Sequence, residues 1–205
     1  MDHVSIPSSE EVNKAAEALK ANGFVVYIVE NGEKAKLQAL ELIPEGSEVM
    51  TMTSKTLDEI GLAKELNESG KFNSVRAQLN TMDRNTQKKE MSKVGGVHDF
   101  AVVSAHAITQ DGKLMWASNS GSQIPGLAYG ADKIVVIAST KKIVKDLDDG
   151  LKRIYETVLP QESVRVQAAY GMPESNVREL FILNNVSPMM PGRVQVILVN
   201  EKLGF

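Results

Sequence analysis

Three stretches of the sequence gather side chains able to hold a small anion. Residues 50–62, MTMTSKTLDEIGL, place Thr53, Ser54 and Thr56 between an apolar run and an amphipathic one. Hydroxyls beside the free N–H groups of a helix start suit negative charge, because the helix macrodipole is positive there. Ser54 reads as the N-cap, and Thr56 with Glu59 has the spacing of a capping box if the helix starts two residues later. Residues 104–112, SAHAITQDG, follow a second apolar run and carry His106, Thr109, Asp111 and Gly112. His106 is a candidate general base, since imidazole titrates near neutrality. Asp111 and Glu59 are candidate carboxylate bases or nucleophiles. Residues 117–130, ASNSGSQIPGLAYG, supply Asn119, Ser120, Gly121, Ser122 and Gln123, a loop whose glycine lets backbone amides approach a ligand. Each stretch also has a plain structural reading: an N-cap, a turn between strands and a surface loop.

The elements that must position these groups follow from apolar periodicity. Residues 8–22 put Val12, Ala15, Ala16 and Leu19 on one helical face, with Ser9 as the expected N-cap. Residues 24–30, FVVYIVE, form a continuous β-branched run, as in a strand covered on both faces. A helix over 33–42 and a strand over 47–52 follow. Further strands are expected at 99–105, 113–117, 133–139 and 193–200. Val144, Leu147, Leu151, Ile154 and Val158 recur at three- and four-residue spacing, which predicts a helix over 141–159 stopped by Pro160. Another helix is expected over 161–169. Residues 80–93, NTMDRNTQKKEMSK, read as a solvated helix or a lid beside a site. Strands alternating with helices give an α/β fold, a mostly parallel sheet with helices on both faces. In such sheets ligands sit at the carboxyl ends of strands, where the three polar stretches fall.

Composition narrows the function. The 205 residues suit one domain spanning 1–205. With no cysteine, the chain has no disulfide, thiol nucleophile or cysteine-ligated cluster of its own. No histidine pair has metal-ligand spacing, so no metal site is expected. Lys and Arg number 23 against 26 acidic residues, a net charge of −3, and aromatics are 5%, which argues against nucleic acid. No apolar run approaches the ~20 residues of a membrane span. The opening MDHVSIPSSEEV lacks the basic and apolar regions of a signal peptide, so a cytoplasmic location is expected.

Taken in order, SKTLDEIGL at 54–62, SAHAITQDGKL at 104–114, SGSQ at 120–123, YGADKIVVI at 129–137, KIVKDLDDGLKRI at 142–154 and GRVQVILVNEKLGF at 192–205 resemble the LUD-domain family of lactate-utilisation proteins. The resemblance runs from about residue 8 to the end. It implies a three-layer α/β/α, Rossmann-like fold of the NagB/RpiA/CoA-transferase type, whose members bind small anionic sugars, acids or acyl-CoA. It also implies a role beside iron–sulfur subunits that oxidise L-lactate to pyruvate. Where related sequences often read Asn-Lys-Ile-Val, this one has Lys141-Lys142-Ile143-Val144; the two lysines either strengthen anion attraction, which adds Lys142 to the ligand-binding candidates, or are simply solvated. With no cofactor expected in this chain, electron transfer falls to a partner. Three readings stand: an accessory subunit holding a small anion, a stand-alone enzyme on a phosphorylated or acyl-linked molecule, and a non-catalytic assembly protein, any of them able to form a homo-oligomer.

Overall fold

The computed structural model of the protein describes residues 4–205. Its strands are β1 (Val25–Val29), β2 (Glu48–Thr51), β3 (Asn73–Ser74), β4 (His98–Val103), β5 (Ala107–Thr109), β6 (Leu114–Ser118), β7 (Ala131–Ser139), β8 (Ile143–Val144), β9 (Glu179–Leu183) and β10 (Val194–Val199). Six of them form a central sheet in the order β1-β10-β7-β4-β2-β3, every neighbouring pair parallel. Both faces of this sheet are covered, which is why its strands read as unbroken Val and Ile runs. The helices α2 (Gly32–Leu42), α3 (Lys55–Glu59) and α4 (Leu62–Glu68) lie on one face. There Ala35, Ala39, Leu57, Leu62 and Leu66 pack on Val102, Val135, Ile137, Ile197 and Val199. The alternate residues Ala101, Val103, Ile134, Val136, Val196 and Leu198 face the other way, onto Val12, Ala15, Leu19 and Trp116. The result is a three-layer α/β/α arrangement, with α1 (Ser9–Ala21) on this second face.

Apart from the helix expected over 141–159, the expected helix and strand positions hold with local shifts. The N-cap of α1 is Ser8, not Ser9: Ser8 Oγ accepts from the Glu11 N–H and the Glu11 carboxylate accepts from the Ser8 N–H at 2.9 Å. That closes a capping box, which needs a three-residue spacing that Ser9 does not have to Glu11. The polar stretch around residues 80–93 spans the end of α5 (Val75–Asn80), a turn, and the start of α6 (Lys88–Gly96).

A second, smaller sheet contains the strand expected over 113–117 as β6, with the expected turn before it, but its other pairings were not expected. It has the order β8-β5-β6-β9, with β5–β6 and β6–β9 antiparallel and β5–β8 parallel. Its presence corrects the helix expected over 141–159. Residues Thr140–Lys142 form a 3₁₀ turn, Ile143 and Val144 pair with Ile108 and Thr109, and the helix α7 (Leu147–Lys152) starts only after Asp146. The Asp146 carboxylate accepts from the Asp149 N–H at 3.0 Å, so the true cap lies five residues inside the expected helix. Nor does Pro160 stop this helix. A π-helical segment, Arg153–Val158, joins α7 to α8 (Leu159–Tyr170), in which the proline sits at the first turn. Proline lacks an N–H and crowds the carbonyl four residues back, and a widened π turn before it relieves both demands. Gly171, at φ 66°, ends the rod in the left-handed conformation.

Candidate anion-binding site

A crevice of about 620 Å³ opens at the carboxyl ends of β2 and β4, where parallel sheets place their ligands. Met50 and Met52 come from β2 and its continuation, and Val103, Ser104 and His106 from the end of β4 and beyond. The small sheet contributes Ala117 and Ser118, and the helical rod contributes Ile154, Val158, Glu162 and Arg165. The partly missed second sheet and the misjudged helix are therefore what wall the crevice.

Lys142 is the chemical centre of this wall. It is 2% exposed, and its Nζ donates to Thr56 Oγ1 at 3.1 Å and to Ser104 Oγ at 3.0 Å. Both hydroxyl residues line the crevice beside it. Among the described residues, no carboxylate lies within ion-pair distance of Lys142. Burial drives its pKa well below the ordinary lysine value, and the nearby Arg153 and Lys141 cations push the same way against a weaker pull from Glu59. Removing a charge from water without a counterion is costly, so the group loses its proton more readily than a surface lysine. The 3₁₀ turn at Thr140–Lys142 aims the side chain: Ser139 Oγ caps it by accepting from the Lys141 N–H, and Lys141 Nζ is drawn off to the Gly204 carbonyl at 2.6 Å.

His106 completes the inner wall, and Arg153 supports it from behind. The Arg153 side chain is buried, and its Nη1 donates to the His106 carbonyl at 2.7 Å, while Nε and Nη2 have no partner. Burial lowers its pKa to about 10. His106 Nδ1 accepts from the Ala117 N–H at 3.0 Å, so in the neutral ring the proton sits on Nε2. Burial, then the Lys142 and Arg153 charges, push the His106 pKa to about 3. The ring is thus a neutral donor at physiological pH.

The outer wall is also cationic. Lys55, Arg76, Arg84 and Arg165 line it against one acidic side chain, Glu162, which Arg165 grips with two bonds of 2.7 Å. Arg76 holds the Thr51 carbonyl through Nε at 3.1 Å and Nη2 at 2.7 Å, and among the described residues it meets no acid at ion-pair distance. A chain with a net charge of −3 thus presents a locally positive crevice.

The structure brings many of the sequence candidates to this crevice. Thr53, Ser54, Thr56, His106, Asn119, Ser120, Ser122, Gln123 and Lys142 line it. Ser54 caps α3 by accepting from the Leu57 N–H. The alternative Thr56–Glu59 box does not form, because Thr56 is buried against Lys142 and the Glu59 carboxylate accepts from the Gly204 N–H at 2.7 Å. Gly121, in the same loop, does not line the crevice, and Glu179 Oε1 occupies the space its Cβ would need. Ser118 Oγ holds this loop by accepting from the Gly121 N–H at 2.9 Å.

Thr109, Asp111 and Gly112 are not brought there. They form the β5–β6 turn against α1, where Asn22 Nδ2 donates to the Asp111 and Gly112 carbonyls at 2.9 Å each. The Asp111 carboxylate accepts from Lys113 Nζ and Thr109 Oγ1, and these bonds hold it below the usual carboxylate range. Sequence reasoning missed Arg76, Arg84, Ser104 and Arg153. Only Arg153 left a signal, an arginine beside Ile154 on the apolar stripe of the helix. His98, whose ring nitrogens have no partner, is buried by Gly126 and is not part of the crevice. Among the described residues no group of three or more His, Asp or Glu side chains is arranged for a metal, and no helix is long and apolar enough to cross a membrane.

The six-stranded parallel sheet with helices on both faces, and the cation-lined crevice at its strand ends, define a three-layer α/β/α protein with a candidate small-ligand site. The chain belongs to the LUD-domain family, whose profile it matches over residues 12–199. Among solved structures it is similar to a DUF162 family protein from Deinococcus radiodurans, with a TM-score of 0.58 at 14% identity over 95% of this chain and 100% of that one. At that identity the likeness is one of fold. No curated protein sequence matches the chain.

Proposed function

We propose that this LUD-domain protein binds a small anionic metabolite, a carboxylate or phosphate, in the crevice beside Lys142, and serves as an accessory subunit in a lactate-oxidising system. One observation carries the reading: a fully buried lysine with only hydroxyl partners, at the wall of a crevice whose remaining charge is positive. An anion supplies the counterion that the fold leaves out, and binding repays part of the desolvation of Lys142. Arg76 and Arg84 draw the anion in, and the His106 Nε2–H is available to donate to it. Membership of the LUD-domain family supports the lactate-utilisation role, and in this reading iron–sulfur partners carry the electrons. Asp111 and Thr109 lie in the β5–β6 turn, outside the crevice, and have no part in this reading.

The test is thermal unfolding of the full chain with L-lactate, pyruvate, phosphate, and an uncharged lactate amide as control. Anions stabilise the wild type, the amide does not, and Lys142→Met loses the effect. Equal shifts with lactate and its amide would defeat the proposal.

A further inference from the structure

We propose that the Lys142 amine is a nucleophile that condenses with the carbonyl carbon of an oxo acid, forming an imine, while the cations of the crevice hold the acid's carboxylate. This rests on the anion-binding reading above and names the chemical class of its ligand.

The geometry carries the case. A neutral amine has two hydrogens and one lone pair. Lys142 Nζ gives one hydrogen to Thr56 Oγ1 and one to Ser104 Oγ, and the Ser104 hydroxyl in turn donates to the Ala105 carbonyl at 3.4 Å. Two acceptors therefore use both hydrogens of a neutral amine and leave its lone pair unengaged, whereas an ammonium would keep a third hydrogen without a partner. The hydroxyls that fix Nζ are both crevice residues, so a bound carbonyl reaches the amine from the same space. Burial is the arrangement that makes a lysine nucleophilic near neutrality.

The groups facing Lys142 agree. Arg153 and Lys141 favour the neutral amine, Glu59 opposes it weakly, and the neutral His106 adds no charge. In the reaction the Nζ lone pair adds to the carbonyl carbon, and the carbonyl oxygen takes up a proton to give the carbinolamine. That hydroxyl leaves as water while nitrogen loses its remaining proton and the C=N bond forms. Amine plus carbonyl gives imine plus water, with no change of oxidation state. Ser104 and Thr56 are placed to relay the proton, and the His106 Nε2–H to polarise the carbonyl.

The experiment incubates the full chain at neutral pH with glyoxylate, pyruvate or phenylpyruvate and sodium cyanoborohydride, which reduces the imine to a stable secondary amine. Intact mass and peptide mapping then locate the adduct, and thermal unfolding with phosphate and L-lactate reports anion binding on the same preparation. Fewer than about one surface lysine in a thousand is unprotonated at neutral pH. The expected result is a single adduct at Lys142, about tenfold or more above any other lysine, suppressed by phosphate and absent from Lys142→Arg. The wild-type peptide map decides the question even where a variant folds poorly. Anion stabilisation without an adduct at Lys142, or with adducts scattered over surface lysines, overturns the imine and leaves the anion site standing. Loss of both overturns the two together.

Discussion

Replacing Lys142 with methionine removes a buried amine while keeping most of the side chain's length and apolar bulk. In the folded protein the amine is desolvated, faces Arg153 and Lys141, and has a pKa well below the 10.5 of a free lysine. In the unfolded chain it returns to about 10.4. Between the folded and unfolded values the unfolded chain binds more protons, so stability rises with pH. The cost of burying Lys142 is thus fully present below its folded pKa and fades as pH rises towards about 10.4, where both states are neutral. One such group changes stability by about 1.4 kcal/mol per pH unit inside that window. Groups common to both proteins cancel in the comparison. Wild-type stability should therefore gain on that of Lys142→Met as pH rises, with a slope approaching about 1.4 kcal/mol per unit and flattening on either side. Urea unfolding of both proteins from about pH 6 to about pH 10 measures it, with equal m-values confirming that the unfolded states match. A difference independent of pH throughout, or one that shrinks as pH rises, would refute the reasoning. It would mean that Lys142 holds its proton in the fold as readily as outside it.

Three further outcomes follow from the same structure. The His106 ring should stay neutral, with its proton on Nε2, from about pH 5 to about pH 8; nitrogen chemical shifts of labelled protein check this, and a midpoint near 6.5 would contradict its burial beside Lys142 and Arg153. Gly112→Ala should destabilise by more than about 2 kcal/mol, because φ is +82° and the new Cβ meets the Ala18 carbonyl carbon at 2.5 Å and its oxygen at 2.6 Å; a midpoint within error of wild type in thermal unfolding would contradict that contact. Trp116→Ala should cost about 3–5 kcal/mol in urea unfolding, since the ring is 1% exposed, lies 5.7 Å from the Phe181 ring and donates to the Ser104 carbonyl at 3.1 Å.

The central sheet was legible because burial on both faces leaves a local mark. Runs such as FVVYIVE and KIVVIAS have no other stable use in a protein of this composition. Of the second sheet only β6 left such a mark, as the strand expected over 113–117. Its strands β5 and β8 are three and two residues long, too short for a period to register. The edge strand β9 alternates weakly, with Glu179 and Leu180 exposed. Ile143 and Val144 also fit the helical spacing of the residues that follow, so only pairing with Ile108 and Thr109 decides their state. Pro160 misled for a related reason: a local rule about proline gave way to a π turn upstream. The site divides in the same way. Ser54, Thr56 and the Asn119–Gln123 loop were readable as polar residues at strand ends. Asp111 looked like chemistry and is turn structure, because its partners Thr109 and Lys113 sit within two residues of it. Arg76 and Arg153 reach the crevice region only through tertiary packing, which a single sequence does not record.

The central claim is that the crevice holds an anion through Lys142, and one thermal-unfolding comparison addresses it most directly. Phosphate, L-lactate and lactate amide are titrated against wild type, Lys142→Met and Asp111→Asn. An anion at 100 times its dissociation constant should add about 2.7 kcal/mol, a rise of roughly 5–10 °C for a chain of this size. The account predicts that rise in wild type and in Asp111→Asn, whose carboxylate lies outside the crevice, and its loss in Lys142→Met. A rise of equal size in Lys142→Met, or none in any of the three proteins, would contradict it.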